Sequence, residues 1–197
     1  MPAESIYQGL SGYLEALASR TSTPGGGAVA AVTGAQAAGL VAMVARFSPG
    51  LDDIAESAVA ATTAFIEQAA LDAEGFDALM AAYRVPKDSP DRKAGIQAGL
   101  IKAMAAPRAM LKLASAMNEH LPRLVREGNM NLVSDTAMAA VLIAATLETA
   151  AMNVRINLKS VRDEETAATI TSELNDATRH RHAALEMGAT ASAMIDS

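Results

Sequence analysis

The chain has 197 residues, 51% of them hydrophobic but only 3% aromatic, with no cysteine and a formal net charge of −6. That length reads as one domain over 1–197, long enough to bury a core without staples. The missing thiols exclude disulfide frameworks, thiolate metal sites and cysteine nucleophiles and fit a reducing, cytoplasmic setting, and acidic residues interspersed with basic ones argue against nucleic acid, which needs a basic patch.

Residues 4 to 20 place Ile6, Leu10, Tyr13, Leu14 and Leu17 at helical spacing, which predicts a surface helix with one apolar stripe. TSTPGGGAVAA follows. Three consecutive glycines are poor helix interior but precede a strong helical pattern, so residues 21 to 27 form a loop feeding a helix N-terminus whose free amides can point at an anion. No glycine-lysine-serine or GxGxxG pattern accompanies them, which excludes the common nucleotide loops.

The next helix carries Val29, Val32, Gln36, Leu40, Val44 and Phe47 on one side. Gly27, Ala31, Ala35 and Gly39, with Ala30, Gly34, Ala38 and Ala42 one position on, form rows over which neighbouring backbones can close. Ala28 to Ala45 holds no charge and reaches spanning length. It is mostly alanine and glycine, contains Thr33 and Gln36 and lacks flanking anchors, so a buried helix is expected and not a membrane span. The start, MPAESIYQGL, has no basic n-region and does not read as a secretory signal.

From Asp52 to Tyr83 the period is helical, with Ile54, Phe65, Ala69, Phe76, Leu79 and Tyr83 near one face and Asp72 inside it. Arg92 and Arg108 are candidate partners for that acid. VPKDSPDR breaks the pattern, with Ser89 as an expected N-cap. A helix through Ile96, Leu100 and Met104 is expected to kink or split at Pro107, and HLPRLVREGN to add a short turn ended by Gly128.

Residues 129 to 158 read as the centre of the fold, a polar entry followed by a helix apolar nearly all round, which must be surrounded by protein. Asp135, Thr146, Thr149, Asn153 and Asn157 form a polar stripe on it. Asp135 stands at its mouth beside Asn129, Asn131 and Ser134. The distance from Asp135 to Asn153, about 27 Å at 1.5 Å per residue, splits the stripe into a candidate site at the Asp135 end and a packing or subunit contact at the Asn153 end. As a first-turn acid Asp135 also suits a cap with no chemistry attached.

Asp163 is expected to cap a last helix to about Ile195, with Ile170, Leu174, Ala177 and Leu185 inward and RHRH at 179 to 182 on a solvated face. The three histidines show no metal-ligand spacing, and no nucleophile elbow is present. The fold class is therefore all-α, an antiparallel bundle of about seven to nine helices around a central buried one.

STPGGGAVAA opening an alanine-rich helix, Asp72 in LDAEGF, DRKAGIQAGLIKAMAAP, and GNMNLVSD running into ETAAMNVRINL together resemble the cyclodeaminase domain of the formiminotransferase-cyclodeaminase family, over roughly residues 5 to 160. The same domain occurs alone as a bacterial methenyltetrahydrofolate cyclohydrolase. The resemblance implies an all-helical homodimer that binds a tetrahydrofolate derivative as substrate, with no prosthetic group or metal. It implies Asp135 and Asp72 as catalytic acids and Gly25, Gly26, Gly27, Asn129, Asn131, Ser134 and Asn153 as binding residues. The chain departs from it in reading ARFSPGLDD where the family has a lysine-rich, tyrosine-containing segment.

Methenyltetrahydrofolate is an amidinium cation, so a nearby carboxylate can stabilise it and take a proton from attacking water, a role expected of Asp135 with Asp72 second. Hydrolysis to 10-formyltetrahydrofolate is the activity expected of a chain standing without a formiminotransferase domain. The alternatives are the cyclodeaminase reaction, in which an acid protonates departing ammonia, and a non-catalytic helical binding or assembly protein.

Overall fold

The structure, a computed structural model, describes residues 3–195 and their side chains from residue 9. The Ile6 side chain thus lies outside the described residues. The elements are α1 (Ala3–Ala18), α2 (Gly26–Arg46), α3 (Asp52–Arg84), α4 (Arg92–Glu127), a 3-10 turn (Met130–Leu132), α5 (Val133–Leu158) and α6 (Glu164–Ala193). Among the described residues there are six α-helices and no strand, an all-α bundle as expected but with fewer, longer helices.

The shortfall in number comes from α4, which runs unbroken through both Pro107 and Pro122. A proline removes one helix hydrogen bond and strains the turn before it. Here Ala106, Pro107, Met110 and Leu111 are all buried, and packing on both sides of the break holds the rod together. The start of α4 differs too. Ser89 accepts the Arg92 N–H at 3.3 Å with its carbonyl rather than its side chain, and the N-cap is Asp91.

α2 and α5 form the middle of the bundle, α2 packing on α3, α5 on α6, and both on each other, while α4 lies behind and touches all four. The alanine and glycine rows of α2 do what their size allows. Ala30, Ala31, Gly34, Ala35, Ala38 and Ala42 are buried, and a Cβ on Gly34 would come within 2.5 Å of the Phe65 ring of α3. The opposite row, including Leu40 and Met43, is only partly covered, and Phe47 is 65% exposed. Two segments, Gly26–Arg46 and Met130–Leu158, are long and apolar enough to cross a membrane, and both are helices packed into this core, with buried residues along their length.

α1 departs from its expected packing, since Leu10 and Leu14 are exposed and only Tyr13 and Leu17 are partly covered. On α6, Asp163 caps as predicted, its carboxylate accepting the Thr166 N–H at 2.8 Å. Leu185 is exposed, however, and Ala184 and Gly188 are buried in its place, because close approach to α5 admits only small side chains there. Nor is the RHRH run simply solvated. His180 meets the buried Asn118 amide at 3.1 Å, and Arg181 pairs with Glu148 of α5 at 3.1 Å.

Candidate active site

The glycine loop, α3 and the C-terminal end of α5 converge on a cavity of about 450 Å³, within the usual range for small-molecule pockets. Ser22, Thr23, Gly25, Gly26 and Gly27 supply one wall. Asp72, Phe76, Leu79, Met80 and Tyr83 of α3 supply the second, and Asn153, Ile156, Asn157 and Ser160 the third. The α3 wall is a helical repeat in the sequence, in which the acid and its apolar neighbours recur every three or four residues on one face.

Asp72 is held in place by the absence of a side chain opposite it. A Cβ on Gly27 would overlap its carboxyl group, so the first turn of α2 can lie against the acid only because residue 27 is glycine. Burial raises the Asp72 pKa above its ordinary 3.8 by desolvating the charged form. Among the described residues no cation offsets that cost. Arg92 bonds the carbonyls of Val85 at 2.8 Å and Tyr83 at 3.3 Å, and Arg108 makes a two-pronged pair with Glu173 at 2.6 and 2.8 Å. Neither candidate arginine reaches the acid, which has no ion-pair partner among the described residues.

Asn153 and Asn157 each donate one amide N–H to a carbonyl of their own helix, Thr149 O and Asn153 O, both at 3.1 Å. The other N–H and the carbonyl oxygen of each amide stay available. The Asn153 Oδ1 faces the loop, 3.8 Å from where a Cβ on Gly26 would stand. These amides therefore line the cavity rather than bridging a helix crossing, as the sequence alone suggested for this end. Asp72 is also reached from a shallower cleft under α1, lined by Tyr13, Thr23, Pro24 and Ala69. The Tyr13 hydroxyl is buried there without a hydrogen-bond partner, and desolvation raises its pKa.

The structure thus brings Gly25, Gly26, Gly27, Asp72 and Asn153 together and does not bring Asn129, Asn131, Ser134 or Asp135 to them within one chain. The reason is the antiparallel run of α2 and α5, which sets the glycine loop beside the end of α5 opposite Asp135. Asn129 serves to join helix ends. Its N–H donates to Ser48 Oγ at 2.8 Å, its Nδ2 to Phe47 O at 3.2 Å, and its Oδ1 accepts the Asn131 N–H at 3.0 Å. Asp135 sits half-buried in the first turn of α5, where no side chain caps the helix. Sequence reasoning missed Asn157 as a cavity residue, although its spacing four residues after Asn153 carried the signal.

An unpaired carboxyl, an open helix N-terminus and two amides thus surround one cavity with apolar and aromatic walls in an all-helical protein. The formiminotransferase-cyclodeaminase family profile matches residues 9–176, and the chain belongs to that family. It is 33% identical over 176 residues to a methenyltetrahydrofolate cyclohydrolase from Methylorubrum extorquens, covering 82% of this chain and 85% of that protein. It is 32% identical to the mouse formimidoyltransferase-cyclodeaminase, covering 95% of this chain but 38% of that longer protein. The crystal structure of a formiminotetrahydrofolate cyclodeaminase from Thermotoga maritima superposes with a TM-score of 0.84 at 30% identity, covering 91% of this chain and 92% of the other.

Proposed function

We propose that the protein hydrolyses 5,10-methenyltetrahydrofolate to 10-formyltetrahydrofolate, in the cytoplasm and as a homodimer. The observation that carries this reading is the Asp72 carboxyl, unpaired and desolvated against Gly27 inside the cavity. Support for the substrate comes from the cyclohydrolase that the chain resembles over most of both lengths.

The substrate carries a delocalised cation on the bridge between N5 and N10. A carboxylate in a desolvated wall stabilises that charge more strongly than it would in water. Water bonds to the bridging carbon as Asp72 takes its proton. The carbon–N5 bond then breaks, N5 accepts a proton, and the formyl group stays on N10, with one proton released overall. A base whose pKa lies nearer the working pH than an ordinary carboxylate suits that transfer. Phe76, Met80 and Tyr83 would flank the pterin, the Asn153 and Asn157 amides would pair with its polar edge, and the amides opening α2 would take an anionic group of the substrate. These steps call on no resident metal or redox group.

The second reading, elimination of ammonia from formiminotetrahydrofolate, is favoured by the same raised pKa, since a carboxyl that keeps its proton longer can deliver it to a leaving amine. Mixing the protein with methenyltetrahydrofolate and following loss of its near-ultraviolet absorbance tests the first reading. Faster loss than in buffer, abolished by Asp72→Asn, is the expected result. A wild type no faster than buffer removes the hydrolase reading, and ammonia release from the formimino substrate then decides between the lyase and a protein that only binds.

A further inference from the structure

We infer that two copies of the chain pair through an antiparallel seam of α5, and that this seam carries Asp135 of the partner subunit to the rim of the Asp72 cavity. The inference rests on the proposed dimeric enzyme and specifies how its site is completed.

α5 was expected to be enclosed on every side, yet one face of it is bare. Met138, Val141, Met152 and Ile156 are 56%, 53%, 55% and 63% exposed. Asp135, Met138, Leu142, Ala145, Thr149, Met152, Ile156 and Lys159 follow one another at alternating spacings of three and four, which is the seam of a coiled coil. Reversed about a two-fold axis level with residue 147, the seam matches itself. Ala145 then faces Thr149, Leu142 faces Met152 and Met138 faces Ile156, with small residues at the centre where the helices cross most closely. One step further out Asp135 faces Lys159. Among the described residues neither has an ion-pair partner, so the seam ends in complementary charges.

The size of the face agrees. α5 is about 39 Å long, and with the half-covered outer row of α2 beside it, at roughly 9 Å, it presents on the order of 700 Å², close to the ~800 Å² that each partner gives to a standard interface. Glu148, held by Arg155 and Arg181, lies along its edge as a polar rim. Ile156 and Ser160 line the cavity, so a carboxylate opposite Lys159 stands at the cavity mouth. Each site would then combine Asp72 from one chain with the partner's Asp135, and the two sites would lie at opposite ends of the seam.

The chain has no cysteine, so introduced thiols report position cleanly. Equal mixtures of Met138→Cys with Ile156→Cys, and of Asp135→Cys with Lys159→Cys, are expected to cross-link to a species of twice the 20.3 kDa chain mass on mild oxidation. The separate variants are not, because like positions lie far apart along an antiparallel seam. All but Asp135 are well exposed, so the substitutions leave the fold intact. A sedimentation mass of one chain at micromolar concentration, cross-linking within the separate variants, or pelleting with anionic phospholipid vesicles in place of dimerisation overturns the seam. With an active enzyme, co-refolding Asp72→Asn with Asp135→Asn is expected to restore about a quarter of wild-type turnover, since half of the dimers are mixed and one of their two sites is whole; no recovery removes Asp135 from the site. A monomer that still consumes methenyltetrahydrofolate sinks the seam and keeps the reaction, whereas an inactive chain that cross-links as described keeps the seam and sinks the reaction.

Discussion

The two ends of α5 carry the same kinds of short polar residue and use them in opposite ways. At the N-terminal end, Asn129 spends its hydrogen bonds on Phe47, Ser48 and Asn131 and ties the end of α2 to the start of α5. At the C-terminal end, Asn153 and Asn157 give one N–H each to their own helix and present the rest of their amides to a cavity shared with Asp72 and the glycine loop. A polar side chain becomes available to a ligand when its neighbours leave its bonding capacity unspent, and residue type does not decide that.

The comparison is broken most directly at Asp72. Asp72→Asn is expected to lower kcat by about 10²–10⁴-fold, the usual worth of a positioned acid or base, without loss of fold. The pH dependence of stability checks the same group. Its pKa is raised in the folded protein, so the folded state holds the proton over a window running up from 3.8 in which the unfolded chain releases it. Wild-type stability should therefore fall as pH rises through that window. The Asn variant should lack this component, as urea titrations across the acid range would show; an identical pH profile in the two proteins would remove the desolvated carboxyl from the account.

Gly27→Ala drives a methyl into the Asp72 carboxyl group. It is expected to cost about 1–3 kcal/mol of stability and about 10²-fold in kcat/KM through the displaced acid. A thermal melt and a steady-state assay together check it, and normal turnover would show that the contact is dispensable. Asn153→Ala removes one polar partner at the cavity wall and should raise KM about tenfold, equivalent to roughly 1.4 kcal/mol of binding, with kcat less affected. Asn129→Ala, at the other end of the helix, should instead lower stability by about 1–2 kcal/mol and leave KM alone. If Asn129→Ala raised KM and Asn153→Ala did not, the assignment of the two ends would be reversed.

By itself the sequence determined what depends on spacing along one helix. The all-α class, the loop before α2, the cap at Asp163, the small-residue rows of α2 and the acid set among apolar neighbours on α3 are all periodic or local features, readable because hydrophobic burial and hydrogen-bond capping act over three or four residues. The site residues Gly25, Gly26, Gly27, Asp72 and Asn153 were legible as types. Their grouping was not, because which end of α5 meets the glycine loop is set by the antiparallel docking of α2 on α5. The continuity of α4 through Pro107 and Pro122 was likewise decided by packing that outweighs a local penalty. Only the tertiary structure showed that α5 keeps one bare face, since a sequence apolar all round looks the same whether its last side is covered by its own chain or by another.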